Sequence, residues 1–260
     1  MTNDALARAR AFVGAASLPE PPPANFNVAK AASFDFDAAK EQATVAGSSI
    51  ISFVTGVTPE QRKDILNALL LAQLVAKKKV AEPQNLEQLL AWYEEYFDVL
   101  SHVGFVIQSK GLARYQEKSQ DFEAHEAILD VATVLLAGAP AALALVKTTL
   151  EALKKMSADS PWITVFNRES RTAQTIRFQV SLVDRDENAQ LLVTLMAFGV
   201  QAESRLTQVL FFKFRKNEVT LHHNSGAVTI NADVLSSVRA QIAAKLVPFT
   251  AAYIEGLPDL

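Results

Sequence analysis

LLVTLMAFGVQAESRLTQVLFFKFRK, residues Leu191 to Lys216, decides the fold. The first arm, Leu191 to Ala202, carries no charge, and both of its faces are apolar. Leu191, Val193, Leu195 and Ala197 lie on one, and Leu192, Met196, Phe198 and Val200 on the other. The return stretch sets Leu210, Phe212 and Phe214 against Val209 and Phe211, with Lys213 and Arg215 at its end. A strand with one wet face alternates apolar and polar residues. This ribbon does so only at its ends. It reads either as a hairpin of central strands covered on both sides, or as a sheet that later meets lipid.

The surrounding chain supplies candidate covers. Residues 1 to about 33 read as an extended arm, because Pro19, Pro21, Pro22 and Pro23 break any helix. A short helix is expected over Asp37 to Ala46. Thr58, Pro59 and Gln61 form a capping box for a helix whose stripe is Ile65, Leu66, Leu69, Leu70 and Leu74. Lys77, Lys78 and Lys79 close it where cations suit the helix dipole. Asn85 caps a third helix, which Gly111 ends. A fourth helical region starts near Phe122, and Pro140 splits it into pieces ending near Ala137 and Met156.

After Pro161 the pattern changes. WITVFN reads as a short strand. QTIRFQVSLV alternates Ile176, Phe178, Val180 and Leu182 with Arg177, Gln179 and Ser181, and DRDEN follows as a turn. Beyond the opening ribbon come NEVTLHH and AVTI, separated by an Asn-Ser-Gly turn. A last helix begins near Asp233 and carries Val234, Val238, Ile242 and Leu246 before Pro248. Helices, then an antiparallel meander, then a helix make an α+β chain. The expected architecture is a single three-layer domain over 34–260, an antiparallel β-sheet sandwiched between helical layers. Its parts are helices over 34–158, the sheet over 162–230 and the closing helix over 233–255.

Composition narrows the function. Half of the 260 residues are hydrophobic and a fifth are charged, an ordinary globular balance. The net charge of −3 comes with no basic block, which argues against nucleic acid as a partner. Cysteine is absent, so disulfides, thiolate chemistry and cysteine-held zinc are excluded. The N-terminal stretch has no apolar core of the secretory kind, so synthesis in the cytoplasm is expected. The longest uncharged helical stretch, Val131 to Val146, is interrupted by Gly138 and Pro140. It falls short of the roughly 20 residues a spanning helix needs.

No motif carries catalysis. His102, His125, His222 and His223 lack metal-ligand spacing, and the neighbours His222 and His223 point to opposite faces of a strand. There is no nucleophile elbow, P-loop or dinucleotide fingerprint. Asp184, Asp186 and Glu187 lack the rest of a calcium loop, and Glu94 and Glu95 read as surface residues. The expectation is a protein that is not an enzyme and uses no cofactor and no metal.

The stretch from Trp162 to Asn231 resembles the cytolytic delta-endotoxins, the Cyt family, which includes the mushroom cytolysin volvatoxin. The features that carry this are the Trp162–Ile163 pair after a helix, FQVSLVDRDENAQLLVTLMAFGVQ with its acidic turn and Ala197–Phe198 pair, and TQVLFFKFRKNEVTLHH. Upstream, ANFNVAKAASFDFDAAKEQA resembles the family's N-terminal arm and first helix, while residues 82–119 depart from the pattern. The resemblance implies a soluble protoxin, activated by terminal trimming, that binds lipid directly and permeabilises membranes. It would be released to act outside the cell at target membranes. Trimming would fall around Lys30 and after Pro248. Strands 174–184, 189–202 and 207–216 would insert, with Ile176, Phe178, Val180, Leu182, Leu192, Leu195, Met196, Phe198, Leu210, Phe211, Phe212 and Phe214 as the membrane-insertion candidates. If Ile176, Phe178 and Val180 meet lipid, Leu192, Met196 and Phe198 would sit in the lumen or at a subunit contact. The partners expected are membrane lipids and other copies of the chain, as a dimeric precursor and as an oligomer on the membrane. The alternative is a virulence protein that binds lipid or an acyl chain without forming pores; attachment of that chain through cysteine is excluded.

Overall fold

The computed structural model describes residues 3–22, 35–115, 121–157, 159–172, 174–202, 209–211, 213–215 and 219–256. In chain order the elements begin with α1 (Asn3–Ala15), β1 (Gln42–Ala46), β2 (Ser49–Phe53), α2 (Pro59–Lys79), α3 (Leu86–His102), β3 (Phe105–Val106), β4 (Ala113–Arg114) and β5 (Asp121–Glu123). They continue with α4 (Ala124–Leu135), α5 (Pro140–Lys155), α6 (Pro161–Ser170), β6 (Thr175–Arg185), β7 (Leu191–Ala202), β8 (Lys213–Arg215), β9 (Val219–Ile230), α7 (Ala232–Tyr253) and β10 (Ile254–Gly256).

The main sheet has the order β10-β1-β2-β6-β7-β9-β3, with β4 also pairing β9. Its interior is buried on both sides, as the doubly apolar ribbon requires. Ile51, Phe53, Val183, Val193 and Leu195 join a core with α1, α2, α3 and α7. Ile50, Ile176, Phe178, Val180, Met196 and Phe198 join a second core with α4, α5 and α6. The fold is therefore α+β, a sheet flanked by helices. The sheet is mixed, however: β2 runs parallel to β6, and the other neighbours are antiparallel.

Several local expectations change. Residues 42–46 are a strand where a helix was expected. β-branched Thr44 and Val45 precede Gly47, whose φ of 58° turns the chain into β2 with Ala46 opposite Ser49. WITVFN is helical within α6, because Pro161 starts the helix and Trp162, Val165, Phe166 and Glu169 form its buried stripe. The start of the chain is not all extended arm: α1 lays Ala9 and Val13 into the first core, and Phe12 stacks on His102 at 4.0 Å.

α3 stops at His102, not at Gly111. Gly104 takes φ 109°, and a Cβ there would come within 2.9 Å of the Asn231 carbonyl. The capping box at Thr58 and the cap at Asn85 form as the sequence predicts. α7 runs through Pro248 because Phe249, Ala252 and Tyr253 continue its buried face.

Candidate functional site

The candidate site is the three-stranded ribbon β6-β7-β9 with the helices that cover it. Register decides which residues share a face. Opposite residues of an antiparallel pair point to the same side. Ile176, Phe178 and Val180 of β6 lie opposite Val200, Phe198 and Met196 of β7, and Leu221 of β9 lies opposite Val200. All seven are buried against α4, α5 and α6. Phe178 and Phe198 stack at 5.0 Å, and Phe166 of α6 sits 6.1 Å from Phe178.

This corrects the placement of Met196 and Phe198. They share a face with Phe178, so an apolar face for β6 is an apolar face for β7 as well. Leu182 joins it opposite Thr194, and half-buried Leu192 lies opposite Asp184 at the ribbon's end. Leu195 belongs to the other face, packed in the first core.

The face toward α2 and α3 carries Arg177, Gln179 and Ser181, all buried. The Tyr93 hydroxyl lies 2.6 Å from the Phe198 carbonyl and 3.1 Å from that of Phe178, and it accepts from Gln179 Nε2 at 3.1 Å. Gln179 Oε1 accepts from Ser49 Oγ at 2.8 Å. Gln73 Nε2 donates to the Ala46 carbonyl and to Ser49 Oγ, both at 2.9 Å. Burial pushes the Tyr93 phenol up, so it stays protonated as a donor. Gly199 admits α3 to the sheet, since a Cβ there would come within 2.8 Å of Leu89 Cδ2. The Arg177 guanidinium lies 4.8 Å over the Trp92 ring, while its Nε and Nη1 have no hydrogen-bond partner among the described residues. Burial pulls its pKa down.

Among the described residues both covers combine apolar contact with buried polar ties, and more of those ties lie on the α2–α3 side. α2 and α3 are tied to the sheet through buried polar groups as well as apolar contacts. α5 rests on it through Leu145, Val146, Leu150 and Leu153, joined by a 2.9 Å contact between Ser52 Oγ and Thr149 Oγ1.

Of the segment 207–216, the described residues 209–211 and 213–215 do not form the ribbon's third strand. Leu210 is buried and Phe211 half-buried in the short stretch 209–211, and β8 pairs with β5 in a separate two-stranded sheet, with Phe214 opposite Phe122. Phe212 and Lys30 lie outside the described residues. The third strand is β9, which runs unbroken through Asn224-Ser225-Gly226 because β7 pairs it from Val219 to Thr229. Asn224 spends its side chain on the Ser109 and Gly111 carbonyls instead of a turn. The alternation of Val219, Leu221 and His223 was the available signal for these residues.

Two clefts border the ribbon's helical cover. One of about 200 Å3 is lined by Trp162, Ile163, Phe166, Leu210 and Phe211, with Lys154 and Asn167 as polar groups. The other, about 250 Å3, opens between α4 and β9 beside Tyr115, Val134, Leu135 and His223. Burial lowers the His223 pKa. Among the described residues, no helix is long and apolar enough to cross a membrane, and no three His, Asp or Glu side chains gather as a metal-holding group.

No family model and no curated protein matches the chain. Among solved structures it is similar to a delta-endotoxin, at 14% identity and a TM-score of 0.37 over 72% of this chain and 85% of that one. It is also similar to the Evf virulence factor, at 10% identity and a TM-score of 0.29 over 82% of this chain and 84% of that one. A toxin and a virulence factor thus stand among its structural neighbours, both distant.

Proposed function

We propose that the protein is a membrane-active cytolysin, made as a water-soluble precursor and acting on the lipid of target cells without catalysis. One observation carries this reading: β6, β7 and β9 are adjacent, 11, 12 and 12 residues long, and one face of the ribbon is apolar through Ile176, Phe178 and Val180 of β6, Met196, Phe198 and Val200 of β7 and Val219 and Leu221 of β9, while the reverse of β6 bears Arg177, Gln179 and Ser181. A strand needs about 9–11 residues to span a bilayer. Lipid on the apolar side and water beside Arg177, Gln179 and Ser181 suit β6. Three strands cannot close a barrel, and an open edge in hydrocarbon leaves backbone groups unpaired, so insertion calls for several copies of the chain together.

Lifting the α4–α5 cover bares the part of the apolar face that α6 does not shield, while the Tyr93–Gln179–Gln73 ties keep α2 and α3 in place. Trimming near Lys30 would remove α1, which packs on α7 through an Arg10 Nε to Ser237 carbonyl hydrogen bond of 3.3 Å. Trimming after Pro248 would remove β10 from the edge strand β1. The test is limited proteolysis followed by dye release from protein-free liposomes. The reading expects the trimmed core to release dye and fails if vesicles of every composition stay intact.

A second reading is favoured by the 200 Å3 cleft, whose apolar walls and single lysine suit a fatty acyl chain and its carboxylate. It expects fatty acid to raise the melting temperature of a protein that leaves vesicles sealed.

A further inference from the structure

The α4–α5 hairpin ends in an unusual tip. From Val131 to Val146 no residue is charged, and Asp130 and Lys147 bracket the stretch. The helices turn through Leu136 to Ala139, and the tip is open: Val134 is 79% exposed, and Ala137, Gly138, Pro140 and Ala141 are exposed around it. Val134 and Leu135 also border the 250 Å3 cleft that leads down to His223 on the ribbon. Apolar surface therefore continues from the tip toward the sheet face that the same hairpin covers.

We infer that this tip is the protein's first contact with a lipid bilayer, on which the lifting of α4–α5 then follows. Its size and charge select this partner. A stable protein interface needs roughly 800 Å2 from each side, more than one helical turn of small residues offers. A bilayer asks only for a few apolar side chains and strongly disfavours charge at depth. The sequence interrupts the apolar run with Gly138 and Pro140, which shape a turn, not a spanning helix. The inference rests on the cytolytic reading and names the surface that begins it.

The absence of cysteine makes the test clean. Val134→Cys carries an environment-sensitive dye, and Val247→Cys serves as control, since Val247 is 72% exposed on α7 in the opposite layer. With the trimmed protein and phosphatidylcholine vesicles, the dye at position 134 is expected to brighten and shift to the blue before contents escape, while the dye at 247 stays in water. Val134→Asp is expected to weaken vesicle binding about tenfold or more, with unchanged melting because the side chain is exposed. Leakage with the 134 dye still in water overturns the inference and leaves the cytolytic reading standing. A blue shift with sealed vesicles supports the contact surface and overturns the reading. Neither signal overturns both.

Discussion

Leu150→Ala should make the protein more lytic as it makes it less stable. Leu150 is buried on α5, where it packs into the core between that helix and the ribbon. Truncating a buried leucine costs about 3–5 kcal/mol when the cavity does not collapse. Much of that cost is contact between cover and sheet, so opening the cover becomes easier by a similar amount. At about 1.4 kcal/mol per tenfold, 3 kcal/mol raises the open population about 100-fold. If opening precedes insertion, leakage should accelerate by up to that factor. The control is Leu100→Ala, buried on α3 in the other core. It should lower urea stability comparably, because the same side chain is lost, yet leave the leakage rate within a few-fold. Fluorescence unfolding and dye release on the same preparations give both numbers. Equal acceleration by the two variants, or by neither, would refute the idea that one helical cover opens and the other stays.

Three further outcomes follow from the ribbon's polar face and rim. Tyr93→Phe should lower urea stability by about 1–3 kcal/mol, because the buried Gln179 amide loses its acceptor; a loss under about 0.5 kcal/mol would contradict the tie to α3. Arg177→Met should raise the urea midpoint, since replacing a buried charge by a packed apolar side chain is often stabilising by about 1–4 kcal/mol; a fall would mean that the Trp92 contact outweighs desolvation. His223 faces Tyr115 and, in the same cleft, Asp130. Its folded pKa is depressed, so the unfolded chain takes up the proton first. Stability is therefore full above the ordinary histidine value near 6.5 and falls as pH drops from there through the lower folded value. His223→Gln should flatten that part of a melting-temperature profile, and an unchanged slope would show that another group titrates.

The sequence revealed the layers better than the connections. Apolar residues on both faces of 191–202 required two covers, and the capped stripes of α2 and α3 supplied one of them. What escaped was pairing. Nothing local in SIISF says that β2 runs beside β6 in parallel, since the partners are far apart in the chain. VLFFKF has the composition of a central strand, yet the β7 edge is taken by β9, whose 12 residues give a longer ladder than 207–216 could. Ladder energy also overrode the turn chemistry of Asn224-Ser225-Gly226. For the site, Phe178 and Phe198 were legible as apolar, but their common face was not, because the face depends on register and a one-residue slip inverts it.

The central claim is that α5 must leave the sheet before the apolar face can reach lipid. Ser52 of β2 and Thr149 of α5 place their hydroxyl oxygens 2.9 Å apart, so cysteines at both positions can bridge cover and sheet in a chain that has no other thiol. The account predicts that the trimmed, oxidised Ser52→Cys/Thr149→Cys protein leaves vesicles sealed and that adding a reductant restores dye release to the level of the trimmed chain without the cysteines. Full release from the oxidised, cross-linked protein would contradict it.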